Sequence, residues 1–160
     1  MSYAKLFKEI KNKHFPELKE YKISFKQKRQ KVFMNSNIFS IKDFLKQKEL
    51  SPITYNKEIL KSTPKKAVEA AIAHELCHKL QGLDSNPLKH IYIWVSCKLT
   101  LQSKVKLERE ANIMTVRRGF AEGMVQLRKS CEKRLKKDWD KKWSKLHLLE
   151  KEIKKHSSKK

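Results

Sequence analysis

The stretch His74-Glu75-Leu76-Cys77-His78 constrains this chain more than any other, because two histidines four residues apart project from one face of a helix. At that spacing the two imidazole rings are close enough to share a metal ion. A glutamate directly after the first histidine lies beside such an ion, where it can take a proton from metal-bound water. The pattern predicts a metal site with His74 and His78 as ligands and Glu75 as general base.

The flanking residues favour a helix around this stretch. Thr63 and Pro64 are a typical N-cap and first helical residue, and Gly82 is a typical C-terminal stop. Residues 65–81 contain no proline or glycine. Apolar residues that repeat every four positions predict the buried stripe of this helix: Val68, Ile72, Leu76 and Leu80. We therefore expect one face to pack on the core and another to carry the metal.

Composition narrows the class of protein and the kind of partner. The 160 residues suit one domain with an appendage. A formal net charge of +22 favours a polyanion such as nucleic acid, although a lysine-rich solvated surface explains it equally well. No apolar run approaches the roughly 20 residues of a membrane span, and the charged start does not resemble a signal peptide. Three widely spaced cysteines indicate no disulfide framework, so we expect a cytoplasmic protein.

Upstream of the histidines the sequence predicts a short helix and a small sheet. Leu6, Phe7 and Ile10 form an apolar helical face that Pro16 interrupts. Alternating apolar and charged residues predict a strand at residues 21–26. A second strand is predicted at 31–34 and a short edge strand at 53–55. Residues 38–45 fit a strand or a helical turn.

Downstream, residues 90–101 fit a strand or a helix, and we favour a helix or ordered loop beside the cleft. A long helix is predicted from Lys104, with Gly119 and Gly123 either interrupting it or admitting a close neighbour. Residues 128–160 hold 14 Lys+Arg against 5 Asp+Glu and predict a basic amphipathic helix. We expect a domain over 1–127 and this tail over 128–160. The apolar stripes are Val105, Ile113, Val116, Phe120, Met124 and Leu127 in the helix, and Leu135, Trp139, Trp143, Leu146 and Leu149 in the tail.

A catalytic zinc ion takes three protein ligands and leaves its fourth position to water. Glu108 and Asn112 are four residues apart and share a face of the long helix, with Ala111 beside them. Glu108 would complete a site of two histidines and one carboxylate, and Asn112 would accept a hydrogen bond from a ligand histidine. Glu110 is the rival ligand, but it lies about 200° further round the helix.

These residues resemble the gluzincin zinc peptidases, in which His-Glu-x-x-His is followed by Glu-x-x-Ala-Asp/Asn on a second helix. Minigluzincins and ImmA/IrrE-type peptidases look closest, over residues 52–127. The resemblance implies an α+β fold, with a mixed or antiparallel sheet of about three strands packed on an active-site helix and a glutamate helix. It also implies Zn²⁺ bound by His74, His78 and Glu108, with Glu75 as general base and Asn112 behind the ligands.

The implied activity is zinc-dependent endopeptidase cleavage by metal-activated water, with a protein or peptide as substrate. In such enzymes an edge strand pairs with extended substrate, which would suit residues 53–55, although an ordinary edge strand explains them equally. The tetrahedral intermediate needs a hydrogen-bond donor, and Cys77 is expected to be a buried thiol that points away from the metal. The candidate donors are His90, Tyr92, Arg117 and Arg118.

The alternative is a nucleic-acid-binding protein whose zinc site is structural or vestigial, or a DNA-associated protease that combines both roles. Lysines of the tail would meet phosphates, and Trp139 and Trp143 would stack on bases. The tail equally suits a plug that keeps a peptidase latent, or a helix that forms a homodimer.

Overall fold

The computed structural model describes residues 2–36, 48–84, 91–92, 95–97, 99–135 and 150–157. It is an α+β fold with a mixed three-stranded sheet, as predicted, and most of it is helical. The strands are β1 (Lys22–Gln27), β2 (Met34–Ser36) and β3 (Glu49–Tyr55). The helices are α1 (Tyr3–His14), α2 (Lys57–Lys61), α3 (Lys65–Asp84), α4 (Leu101–Thr115), α5 (Ala121–Leu135) and α6 (Glu150–Ser157), with a 3-10 turn at Pro16–Leu18.

The strand order places β3 in the middle, parallel to β1 and antiparallel to β2. The prediction of an edge strand at residues 53–55 is therefore wrong. Pro52 lacks a backbone N–H, a property typical of edge strands. Here it lies at a bulge, because the register shifts between the pair Ile23–Leu50 and the pair Phe25–Ile53.

The second strand begins at Met34, so residues 31–33 of the predicted strand are not part of the sheet. Asn56 bonds to this segment, because its backbone N–H donates to the Phe33 carbonyl and its side chain donates to the Gln30 carbonyl. These bonds hold the segment before β2 against the turn that follows β3. Residues 38–45 lie outside the described part of the chain.

Helix α3 forms the centre of the fold, with α1, β2, α4 and α5 packed around it. The predicted apolar stripe is buried, but so are alanines on its other sides. Gly82 is a buried residue inside the helix, so the expected stop there is wrong, and α3 continues to Asp84. The helix is therefore enclosed more completely than an amphipathic pattern suggests. The buried stripe is Val68, Ile72, Leu76 and Leu80, and the alanines are Ala67, Ala70, Ala71 and Ala73.

The predicted long helix is two helices joined at a kink. Helix α4 begins at Leu101, where the Thr100 hydroxyl accepts the Ser103 N–H, and ends at Thr115. A wide turn at Val116–Phe120 follows, in which Gly119 has φ 97°, a left-handed conformation that favours glycine. The chain then continues as α5.

The described C-terminal residues, 128–135 and 150–157, pack on the same core as the other described elements. Helix α5 runs through the expected boundary between residues 127 and 128, and Cys131 is buried. In α6, Ile153 is buried in the main core and Glu152 pairs with Arg109 of α4. Trp139 and Trp143 lie outside the described residues. Within the described ranges, no helix is both long and apolar enough to cross a membrane.

Candidate metal centre

Three side chains converge between two helices, two histidines from α3 and one glutamate from α4. His74 Nε2 lies 3.0 Å from His78 Nε2, and Glu108 Oε2 lies 3.3 Å from the first and 3.4 Å from the second. Three atoms bound to one zinc ion at about 2.0–2.1 Å in tetrahedral geometry lie about 3.3 Å apart. The triangle therefore has the size that a zinc ion requires, and the donor set fits this metal.

The packing of α4 on α3 explains why Glu108 reaches the histidines. Ala111, three residues further along α4, is fully buried and keeps the two helices close. Glu110 is exposed, as expected for a residue on another side of α4. The structure thus brings together the three predicted ligands and leaves the rival carboxylate in solvent.

Charge complementarity holds the three side chains together. Burial raises the pKa of Glu108, but hydrogen bonds to His74 and His78 outweigh it and lower the pKa well below the usual range. Burial lowers the pKa of His78, but the hydrogen bond and charge of Glu108, together with Glu75 and Gln81, outweigh it and the net pKa is raised. The charge of Glu75, which is 9% exposed, acts on His78 in the same direction. A divalent cation would satisfy the same anionic groups.

Gln81 adjoins the site, although no sequence motif singled it out. His78 Nδ1 lies 2.8 Å from Gln81 Oε1, and Gln81 Nε2 donates to the Leu107 carbonyl at 3.1 Å. The spacing of three residues from His78 was the available signal. The partner on α4 is a backbone carbonyl, which no side-chain pattern reveals.

Asn112 is buried one turn after Glu108, but in the described structure no ligand histidine donates to its side-chain oxygen as expected. His78 Nδ1 is bonded to Gln81, and His74 Nδ1 is buried with no hydrogen-bond partner among the residues that the structure describes. Gln81, one turn from His78 on the same helix, occupies the Nδ1 position of that ring.

Comparison with protein families, curated proteins and solved structures gave no match. The chemistry of the site is therefore judged from its donor atoms and their surroundings. Two imidazoles, one carboxylate and an adjacent sheltered glutamate lie within a single pair of helices.

Of the candidate donors for a tetrahedral intermediate, Arg118 is bonded elsewhere. Arg118 donates to the His14 carbonyl and the Glu17 carboxylate, and its guanidinium lies 4.5 Å over the Phe15 ring. It therefore fastens the end of α1 to the turn between α4 and α5. Arg117 is exposed and Tyr92 is 72% exposed. His90 lies outside the described residues.

Cys77 is a buried thiol, as predicted. Its sulfur accepts a hydrogen bond from the Thr115 hydroxyl on α4 at 3.5 Å. Burial raises the pKa of the thiol to about 11. Cys77 therefore contributes to the packing of α3 on α4.

Proposed function

We propose that this chain is a zinc-dependent peptidase whose metal ligands are His74, His78 and Glu108. The observation that carries the proposal is the triangle of donor atoms, with sides of 3.0, 3.3 and 3.4 Å. Two imidazoles and a carboxylate are a donor set of catalytic zinc, in which the fourth position belongs to water or substrate. When bound, zinc would polarise a peptide carbonyl and make a water molecule more acidic.

Glu75 is suited to move the proton in this reaction. It follows His74 on α3, is 9% exposed, and acts electrostatically on His78. A sheltered carboxylate in this position can accept a proton from the attacking water and return it to the leaving amine. Glu75 is not one of the three clustered donors, so it remains available for this role.

Strand β2 is the better candidate for binding an extended peptide. It is an edge of the described sheet and packs against α3, whereas β3 is paired on both sides. An edge strand offers backbone N–H and C=O groups to a further strand. We propose that a peptide substrate pairs with β2 and crosses the metal centre in an extended conformation.

The test is metal content and peptide cleavage in matched variants of the full chain. We expect about one zinc per wild-type chain, loss of that zinc in Glu108→Ala, and retention in Glu110→Ala. Glu75→Gln should keep the metal and lose cleavage of a fluorogenic peptide library. Zinc retained in Glu108→Ala, or full cleavage by Glu75→Gln, would contradict the proposal.

Nucleic-acid binding, latency and homodimer formation stay predictions. A structural zinc site would use four protein ligands, and the cluster in the described part of the chain offers three. A peptidase with a basic tail is therefore favoured over a structural zinc protein.

If the tail binds DNA, the logarithm of its affinity should fall with the logarithm of salt concentration. Replacing the exposed Lys133 and Lys151 by Gln should make that slope shallower, by about one unit for each phosphate that a lysine no longer neutralises.

A further inference from the structure

We infer that Gln81 is a positioning residue that orients metal ligands on both helices of the metal centre, His78 on α3 and Glu108 on α4. It holds His78 in the tautomer that presents Nε2 to a metal, and it ties α3 to α4 next to Glu108. The inference rests on the proposed zinc site, but it does not depend on peptidase activity.

The chemistry of the partners fixes the orientation of the Gln81 amide. The Leu107 carbonyl can only accept, so the Gln81 NH₂ group must face it, at 3.1 Å. The amide oxygen then faces His78 Nδ1 at 2.8 Å, and that oxygen can also only accept. The reverse orientation would place two oxygens against each other with no proton between them.

The tautomer of His78 follows from this orientation. Because Gln81 accepts, His78 Nδ1 must carry a proton. In the neutral ring that binds a metal, Nε2 is therefore the nitrogen that offers its lone pair, whereas without a metal Nε2 can carry a second proton and bond to Glu108. His78 Nε2 is the atom that lies 3.0 Å from His74 Nε2 and 3.4 Å from Glu108 Oε2. A backbone carbonyl on α4 thus determines which nitrogen of a histidine on α3 faces the metal.

The same side chain also fixes the third ligand. Leu107 precedes Glu108, so the bond from Gln81 holds α4 at the residue next to the carboxylate. Leu107 is buried and Gln81 is half-buried, which limits competition by water. His74 has no comparable bond among the described residues, since its Nδ1 is buried without a partner. Loss of the Gln81 side chain is therefore expected to weaken zinc binding more than loss of a hydrogen bond to one ligand alone.

The first experiment measures the zinc dissociation constant of the full chain by competition with a chromophoric chelator. Gln81→Met has a similar length and no hydrogen-bonding groups, and we expect about 10- to 100-fold weaker binding. Gln81→Glu can still accept from His78 but cannot donate to Leu107. Its zinc dissociation constant should therefore lie between those of wild type and Gln81→Met. Gln126→Met, which removes a glutamine bonded to Glu122 on α5, is the matched control and should bind as wild type does.

A second readout begins with the wild-type chain, so its first part does not require a variant to fold. In zinc-loaded protein the His78 Nδ1 proton should be a distinct NMR resonance protected from exchange with water. Protection should be lost in Gln81→Met and kept in Gln126→Met.

The outcomes separate this inference from the proposed function. Wild-type zinc affinity in Gln81→Met, with zinc lost in Glu108→Ala, would overturn the role of Gln81 and leave the zinc site standing. An unprotected His78 Nδ1 proton in the wild type would also overturn it. Failure of the wild-type chain to bind zinc would overturn the metal site and the inference together. Absence of peptide cleavage with these affinity changes intact would contradict only the peptidase activity.

Discussion

Gly123 of α5 lies directly against the Lys66 carbonyl of α3, with no room for a side chain between them. A Cβ atom at residue 123 would overlap that carbonyl oxygen and would lie 2.9 Å from the Ala70 Cβ. Both obstacles belong to the backbone or the base of a side chain, so neither can move without shifting a helix. We expect Gly123→Ala to lower the free energy of unfolding by about 1–3 kcal/mol, measured by urea denaturation. An unchanged midpoint would show that α5 does not approach α3 so closely.

Gly119 offers a contrast at the kink between α4 and α5. A Cβ would meet nothing within 4 Å there, but φ is 97°, which most side chains disfavour. Gly119→Ala should cost about 1–2 kcal/mol through backbone strain alone, and Gly119→Asn should cost less because asparagine tolerates positive φ. The same urea titration distinguishes the two variants. Equal losses in both would indicate that strain is not the cause.

Ile153 connects the C-terminal helix to the main core. Its side chain is 2% exposed, and we expect Ile153→Ala to lower the free energy of unfolding by about 2–5 kcal/mol. Lys151→Ala, on the exposed side of α6, is the control and should change stability little. If both variants unfold as wild type does, α6 contributes nothing to the core. The predicted loss also means that deleting residues 128–160 would test stability as well as any function of the tail.

The three cysteines should differ in reactivity toward a thiol reagent. Cys77 and Cys131 are buried, and burial raises their pKa values to about 11 and about 12. Cys97 is partly exposed, although burial raises its pKa as well. At pH 8 we expect Cys97 to react first and the other two cysteines only after denaturation. Mass spectrometry of the labelled peptides measures the order of reaction. Rapid labelling of Cys131 in folded protein would contradict the packing of α5.

The pair of Glu17 and Arg118 should make a small contribution to stability that depends on pH. The hydrogen bond from Arg118 lowers the pKa of Glu17 in the folded state, so this contribution is present above the ordinary carboxyl pKa. It is lost as the pH falls through the lowered value. Glu17 is 51% exposed, so we expect less than about 1 kcal/mol. Between pH 7 and pH 3 the free energy of unfolding of Glu17→Gln should fall less steeply than that of wild type. An identical dependence on pH would exclude the contribution.

Local periodicity predicted the parts of the fold that depend on near neighbours. The apolar stripe of α3, the pair of histidines and the phase of Glu108 all follow from helical spacing, and the structure agrees with each. Glu110 was separated from Glu108 by the same geometry.

The errors concern partners that are distant in sequence. The central position of β3 depends on β1 and β2 pairing with it from both sides, which the composition of one strand does not encode. The segment before β2 is bonded to Asn56, and Gln81 is bonded to the Leu107 carbonyl, in both cases across more than 20 residues of sequence. Gly82 was expected to end α3, but surrounding elements bury it and the helix continues.

The central position of α3 has a consequence for how the chain acquires its structure during synthesis. Its apolar surface is covered by α1 from one end of the sequence and by α4 and α5 from the other, and Ile153 joins the same core. A nascent chain on the ribosome therefore exposes this helix until most of the sequence has emerged. Both histidines are synthesised before Glu108, so a zinc ion that arrived at that stage would find only two of the three proposed ligands.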